Sequence, residues 1–465
     1  PTHPEKEYGQ LMSRELRLNA FASQTPVHLS PGLWRHPRDR SRDFKTLSYW
    51  TDLAQILEAG LFDGLFLADG IGVNDVHGGS PDSALRHGAQ VPKHDPLLLV
   101  SAMAHVTKQL GFGVTCTLSF EPPALLARRF TTLDHLTKGR IGWNIVTGYY
   151  DSGAKALGRA KVTAHDERYE VAEEYMDLVY KLWEQSWEEG AVLGDRETGF
   201  YAEPEKVHTI NHHGKYFDLD SIHFTPPSLQ RTPLLYQAGA SRRGRTFAAK
   251  HAEAVFVAGP SKRVIAPIVA DIRAQAEGFG RNGRDIHFFT LMTVIVAETE
   301  AAARAKQADY ERYVSPEGVL TLFSGWTGTD FSRYSLDEPI VSNHVDSAVA
   351  SMIESFTTAD PDRVWTLREL IAHNGIGGRG PVIVGSPEQV ADALLGWVAV
   401  TDVDGFNLSY AVTPESYTDF IALVVPELQK RGAYKTAYAP GSLRQKMSGG
   451  DRLLPASHPA ARFRA

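Results

Sequence analysis

The densest group of residues able to do chemistry is Leu234-Leu235-Tyr236-Gln237-Ala238-Gly239-Ala240-Ser241-Arg242-Arg243-Gly244. Its apolar start predicts a short buried strand and its small residues a tight turn. Thr246-Phe247-Ala248-Ala249-Lys250 predicts a helix. Such a turn leaves backbone N–H groups unpaired in front of a helix dipole, which makes a seat for phosphate. Ser241 can cap the helix or bind the anion through its hydroxyl. Arg242 and Arg243 add positive charge, and Gly244 keeps the approach open. The same pattern also fits a capped turn in any α/β protein, so the rest of the chain must supply the walls of a site.

Those walls are polar residues at the ends of other apolar runs. Gly64-Leu65-Phe66-Leu67-Ala68 ends at Asp69, and Phe112-Gly113-Val114-Thr115-Cys116-Thr117-Leu118 carries Thr115 and Thr117. Arg140-Ile141-Gly142-Trp143-Asn144-Ile145-Val146-Thr147 carries Asn144 and Thr147, and the run from Gly405 ends at Tyr410. Continuous apolar runs of this kind suit parallel strands covered on both faces. With residues 16–21, 234–237, 253–258 and 286–296 they make eight predicted strands. Helical periodicity falls between them, over 44–60, 95–107, 122–136, 165–185, 261–278, 298–313, 387–398 and 417–431. Strand-then-helix alternation implies an α/β fold, a closed (β/α)8 TIM barrel, whose functional groups sit at the C-terminal strand ends. Residues 186–230 and 314–380 read as two large insertions, and the tail from about residue 432 as draped over the surface or a second subunit. No Gly/Ser- or Pro-rich linker divides the chain, so residues 1–465 read as a single domain.

Composition narrows the function. The net charge of −7 gives no electrostatic case for nucleic acid or an anionic membrane. A single cysteine, Cys116, excludes an intrachain disulfide framework and fits a reducing compartment. No apolar run approaches eighteen residues and residues 1–15 are polar, so the expected location is the cytoplasm. His208, His212 and His213 lack zinc-type spacing, and no metal is expected. No GxSxG elbow is present, and no GxGxxG follows the first strand, which argues against a serine hydrolase and a Rossmann NAD site.

Assembled, these segments resemble the bacterial-luciferase-like flavin monooxygenases, in the branch of the nitrilotriacetate, dibenzothiophene-sulfone and dimethyl-sulfide enzymes. The resemblance rests on Leu18-Asn19-Ala20-Phe21, Trp34-Arg35-His36-Pro37, Phe62-Asp63-Gly64, Thr132-Leu133-Asp134-His135-Leu136, Trp143-Asn144-Ile145-Val146-Thr147, His165-Asp166-Glu167-Arg168-Tyr169 and Asp404-Gly405-Phe406-Asn407-Leu408. It implies reduced FMN as cosubstrate, O2, a separate NADH:FMN reductase and a homo-oligomer, dimer or tetramer. It further implies that Asp69, Thr115 or Thr117, Asn144 and Thr147 line the flavin ring, and that His165, Tyr169, Gly239, Ala240 and Ser241 hold the phosphate. Where relatives often carry Ser after the fourth-strand motif, this chain has Gly148.

In flavin oxygenation the protein orients the cofactor, excludes water and supplies a general acid. The candidates are His28, His36, His94 and also His87, in the first two loops. The resemblance favours a small organosulfur substrate of the dimethyl-sulfide type. A sulfone or aminopolycarboxylate, or riboflavin cleaved by a lyase of the same branch, is the alternative.

Overall fold

The computed structural model describes residues 15–239, 241–340 and 364–464. Eleven strands are present among them: β1 (Arg17–Ser23), β2 (Gly64–Ala68), β3 (Gly111–Thr117), β4 (Ile141–Val146), β5 (Ile210–His213), β6 (Asp218–Ser221), β7 (Leu234–Gln237), β8 (Ala254–Val257), β9 (His287–Val296), β10 (Val382–Gly385) and β11 (Gly405–Ser409). Eight of them close a parallel barrel in the order β1-β2-β3-β4-β7-β8-β9-β11, with β11 pairing back to β1. These are the eight strands predicted from the sequence. Period-two alternation splits each strand between two layers. Trp143 and Ile145 face the surrounding helices, while Phe21, Phe66, Tyr236 and Phe256 pack on one another inside the barrel.

The differences from expectation lie in the insertions and the tail. The first insertion forms an antiparallel hairpin, β5 with β6. The second contains helices Pro316–Thr327 and Leu367–Asn374, and β10 follows it, pairing with the far half of β9; residues 341–363 lie outside the described residues. Helix Pro316–Thr327 brings Trp326 to the cavities at the barrel mouth and is bound to the second loop. His77 meets Glu317 at 2.8 Å, Ser83 meets Thr321 at 2.6 Å and His87 meets Ser315 at 3.0 Å.

The tail does not drape. Helix Leu443–Ser448 closes the opposite, N-terminal end of the barrel, with Leu443 against Gly111 at the start of β3. Arg444, 2% exposed, donates to both carboxylate oxygens of Glu253, at 2.5 and 2.9 Å. Its remaining N–H groups reach the carbonyls of Gln230, Thr232, Pro233 and Arg452. A buried ion pair needs this degree of saturation to be tolerated.

Candidate active site

A cavity of about 270 Å³ opens at the C-terminal ends of β2, β3, β4, β7 and β8. A smaller one of about 120 Å³ adjoins it, walled by Phe21 and Leu291 from inside the barrel and by Leu29 from the loop after β1. Asp69, Gly70, Tyr149, Tyr150, Trp326 and Arg379 line both.

One end of the larger cavity lies against the N-terminus of a helix. Ser241 caps helix Arg242–His251, accepting from the Gly244 N–H at 3.1 Å. The Tyr169 hydroxyl meets the Ser241 side chain. Helix His165–Tyr180 presents His165, Arg168 and Tyr169 on one face, as i, i+3, i+4 spacing requires, and all three line the cavity. The glycines are needed for close approach: a Cβ on Gly239 would stand 2.5 Å from Gln237 Nε2, and one on Gly244 2.8 Å from the Tyr169 hydroxyl. Ala240 lies outside the described residues. Arg242 and Arg243 are exposed and do not line the cavity.

Arg168 is a functional candidate that sequence reasoning passed over. It is buried, donates to the Gly148 carbonyl, and keeps an unpartnered Nε. Its signal was present in the His165-to-Tyr169 segment, one helical turn from His165. The Gly148 departure has a backbone reason: φ is 68°, a left-handed conformation that suits glycine.

The middle of the cavity is lined by Thr117, Thr147 and Gln237, whose Oε1 is buried without a partner. Thr115 and Asn144 line neither cavity. They are register partners one pleat further down β3 and β4, joined by a 2.8 Å bond from Asn144 Nδ2 to Thr115 Oγ1. The pair forms the layer beneath Thr117 and Val146, and Asn144 Oδ1 remains unpartnered.

The far end is charged. Burial pushes the Asp69 carboxyl up to about 6, against the pull of Lys93, whose own ammonium is lowered by burial. Lys93 Nζ lies 3.4 Å from the Gly70 carbonyl. His28 lines the smaller cavity, edge-on to Phe21 at 4.5 Å, with its Nδ1 unpartnered. Burial, and then the Lys93 charge, lower its imidazole to about 3, so it is neutral at physiological pH. The Tyr149 and Tyr150 hydroxyls meet at 2.8 Å.

The other expected histidines are elsewhere. His36 lines neither cavity: its Nε2 pairs with Asp309 at 3.0 Å and its Nδ1 accepts from the Arg38 N–H at 3.3 Å. His94 is exposed and packs on Phe44, and Lys93 takes the inward position of that loop. His208, His212 and His213 pair separately with Glu188, Glu174 and Asp218. Among the described residues no group of three or more His, Cys, Asp or Glu could hold a metal ion, and no helix is long and apolar enough to cross a membrane.

Asp69 gives a pH-dependent expectation. A carboxyl whose folded value lies above its unfolded 3.8 costs nothing below about pH 4, where both states are protonated. The cost grows as pH rises towards 6 and then levels at about 1–3 kcal/mol, the range allowing for partial exposure. Asp69→Asn is therefore expected to gain stability over wild type between pH 4 and 7 in urea unfolding. A difference between the two proteins that is flat with pH would refute it.

Residues 25–402 match the family described as luciferase-like monooxygenase. The chain is 49% identical to the dimethyl-sulfide monooxygenase of Hyphomicrobium sulfonivorans, over 97% of this chain and 94% of that one. The crystal structure from that organism superposes with a TM-score of 0.91, covering 97% and 96%. It is 46% identical to the long-chain alkane monooxygenase of Geobacillus thermodenitrificans (strain NG80-2), over 97% and 99%. A riboflavin lyase solved with modified FMN and its substrate riboflavin superposes with a TM-score of 0.90 at 36% identity, covering 97% and 100%.

Proposed function

The chain belongs to the luciferase-like monooxygenase family, and from that premise we propose that it is the oxygenase of a two-component system. It takes reduced FMN from a separate NADH-dependent reductase, works as a homo-oligomer, and uses O2 to oxygenate and cleave a small organosulfur compound of the dimethyl-sulfide type. One observation carries the reading: a capped helix N-terminus beside His165, Arg168 and Tyr169 borders one end of the larger cavity, and a small chamber with both apolar and charged walls adjoins its other end.

The residues present fit a flavin mononucleotide. A Cβ on Gly239 or Gly244 would strike Gln237 Nε2 or the Tyr169 hydroxyl and displace groups that line the seat, and Arg168 Nε and Gln237 Oε1 are buried with no partner among the described residues. Ser241, Tyr169, His165 and Arg168 would hold the phosphate; Thr117, Thr147, Gln237 and Asp69 would border the ring, with Thr115 and Asn144 bracing the layer beneath Thr117 and Val146. Bound reduced FMN supplies the electrons that activate O2. Trp326, at the end of helix Pro316–Thr327, walls both cavities and narrows the access of water to them. His28 moves a proton at Nδ1: it accepts while neutral, and negative charge arriving in the chamber raises its pKa and makes it a donor. The small volume of the inner chamber favours a substrate of a few heavy atoms over a second riboflavin.

The test is O2 uptake with NADH, a flavin reductase, FMN and a panel of methyl thioethers, with products identified by mass. Each turnover inserts one oxygen atom at the methyl carbon, the other leaving as water, and releases formaldehyde and a thiol. Consumption of O2 with no thioether, sulfone or riboflavin altered would contradict the substrate assignment. The phosphate seat is tested separately. Loss of one hydrogen bond to a charged group costs about 1.5–3 kcal/mol, so Ser241→Ala should weaken FMN roughly 10- to 150-fold. Riboflavin binding at the same site should change little. Equal weakening of both would move the phosphate elsewhere.

A further inference from the structure

Arg379 has no counter-ion among the described residues. It lines both cavities, with its guanidinium over the Trp326 ring at 5.4 Å and its Nε buried without a partner. The ionisable groups facing it are the Tyr149 and Tyr150 phenols and His28. Burial raises both phenols and lowers the imidazole, so all three are uncharged at neutral pH. The carboxylate of the chamber, Asp69, already faces the Lys93 ammonium. Among the described residues, Asp69, Lys93 and Arg379 therefore leave one surplus positive charge at the cavity wall. A buried cation without an anion is expensive, and a planar guanidinium is suited to bidentate pairing with a carboxylate or sulfonate.

We propose that Arg379 is a specificity-determining residue, and that the substrate is a small thioether bearing a carboxylate or sulfonate. The anion pairs with Arg379 while the apolar part packs on Phe21, Leu29 and Leu291. The assignment of a thioether rests on the oxygenase reading above; the preference for an anion rests on the cavity.

Calorimetry on the protein loaded with oxidised FMN tests it without turnover, using (methylthio)acetate and 3-(methylthio)propionate against their uncharged amides. The acids should bind wild type at least tenfold more tightly than the amides. Arg379→Met should weaken the acids about 10- to 150-fold and leave the amides unchanged, with Arg379→Lys intermediate. Reduced FMN, titrated anaerobically, should bind all three proteins within a few-fold. Equal affinity of wild type for acids and amides would overturn the proposal. So would an unchanged acid-to-amide ratio in Arg379→Met together with lost affinity for reduced FMN, which would assign the cation to the cofactor. If the acids bind as expected and no thioether is cleaved with reduced FMN and O2, the thioether assignment fails and the anion site stands.

Discussion

Replacing His28 by Asn is expected to lower kcat by about 10²- to 10⁴-fold, the range for loss of a positioned acid–base group. FMN affinity should stay within a few-fold, because His28 lines the inner chamber and not the anion seat. The argument is one of geometry joined to charge. The imidazole is buried at the chamber wall, its Nδ1 has no partner, and burial with Lys93 nearby holds its pKa at about 3. A proton acceptor of this kind stays neutral from pH 5 upward, so the free enzyme should show no His28 limb near pH 6.5. Its T-shaped contact with Phe21 is the competing structural role. Thermal unfolding separates the two: His28→Asn should melt near wild type while turning over far more slowly. A kcat within tenfold of wild type, or loss of activity in proportion to loss of fold, would remove His28 from the chemistry.

The largest expected effect on stability lies at the other end of the barrel. Arg444→Met should cost about 3–5 kcal/mol, because it strands a buried carboxylate. Glu253 is 7% exposed, and without Arg444 its neighbouring donor is the Leu235 N–H at 3.0 Å. Adding Glu253→Gln to Arg444→Met should recover part of the loss, since the stranded charge is then gone. Urea unfolding checks both, and FMN affinity should be unaffected because the cavity is at the opposite strand ends. A loss below about 1 kcal/mol would show that the tail helix is not what closes the barrel.

What the sequence made legible follows from how each element announces itself. The barrel strands are unbroken apolar runs ended by polar residues, a pattern that survives without knowledge of partners. Ser241 could be read as a cap because capping is local. Side-chain direction could not be read: His36 and His94 share loops with His28 and Lys93, yet one is taken up by Asp309 and the other turns to solvent. Arg379 and Trp326 sit in a segment whose Gly, Ser and Thr content suggests loop. The start of its first helix was nevertheless written in Ser315-Pro316-Glu317, a cap followed by proline at the first helical position. Arg444 pairs with a residue in a distant part of the chain, and no local pattern marks such a contact.

The central claim is that this cavity binds reduced FMN and directs O2 to a small substrate. The most direct measurement is a single turnover: protein and reduced FMN mixed anaerobically, then exposed to ¹⁸O2 with a thioether from the panel and no NADH. The account predicts one ¹⁸O atom in the aldehyde product per FMN oxidised, fixed before exchange with water by rapid borohydride reduction to the alcohol. Stoichiometric FMN oxidation with hydrogen peroxide as the product and the thioether unchanged, or thioether cleavage without O2, would contradict it.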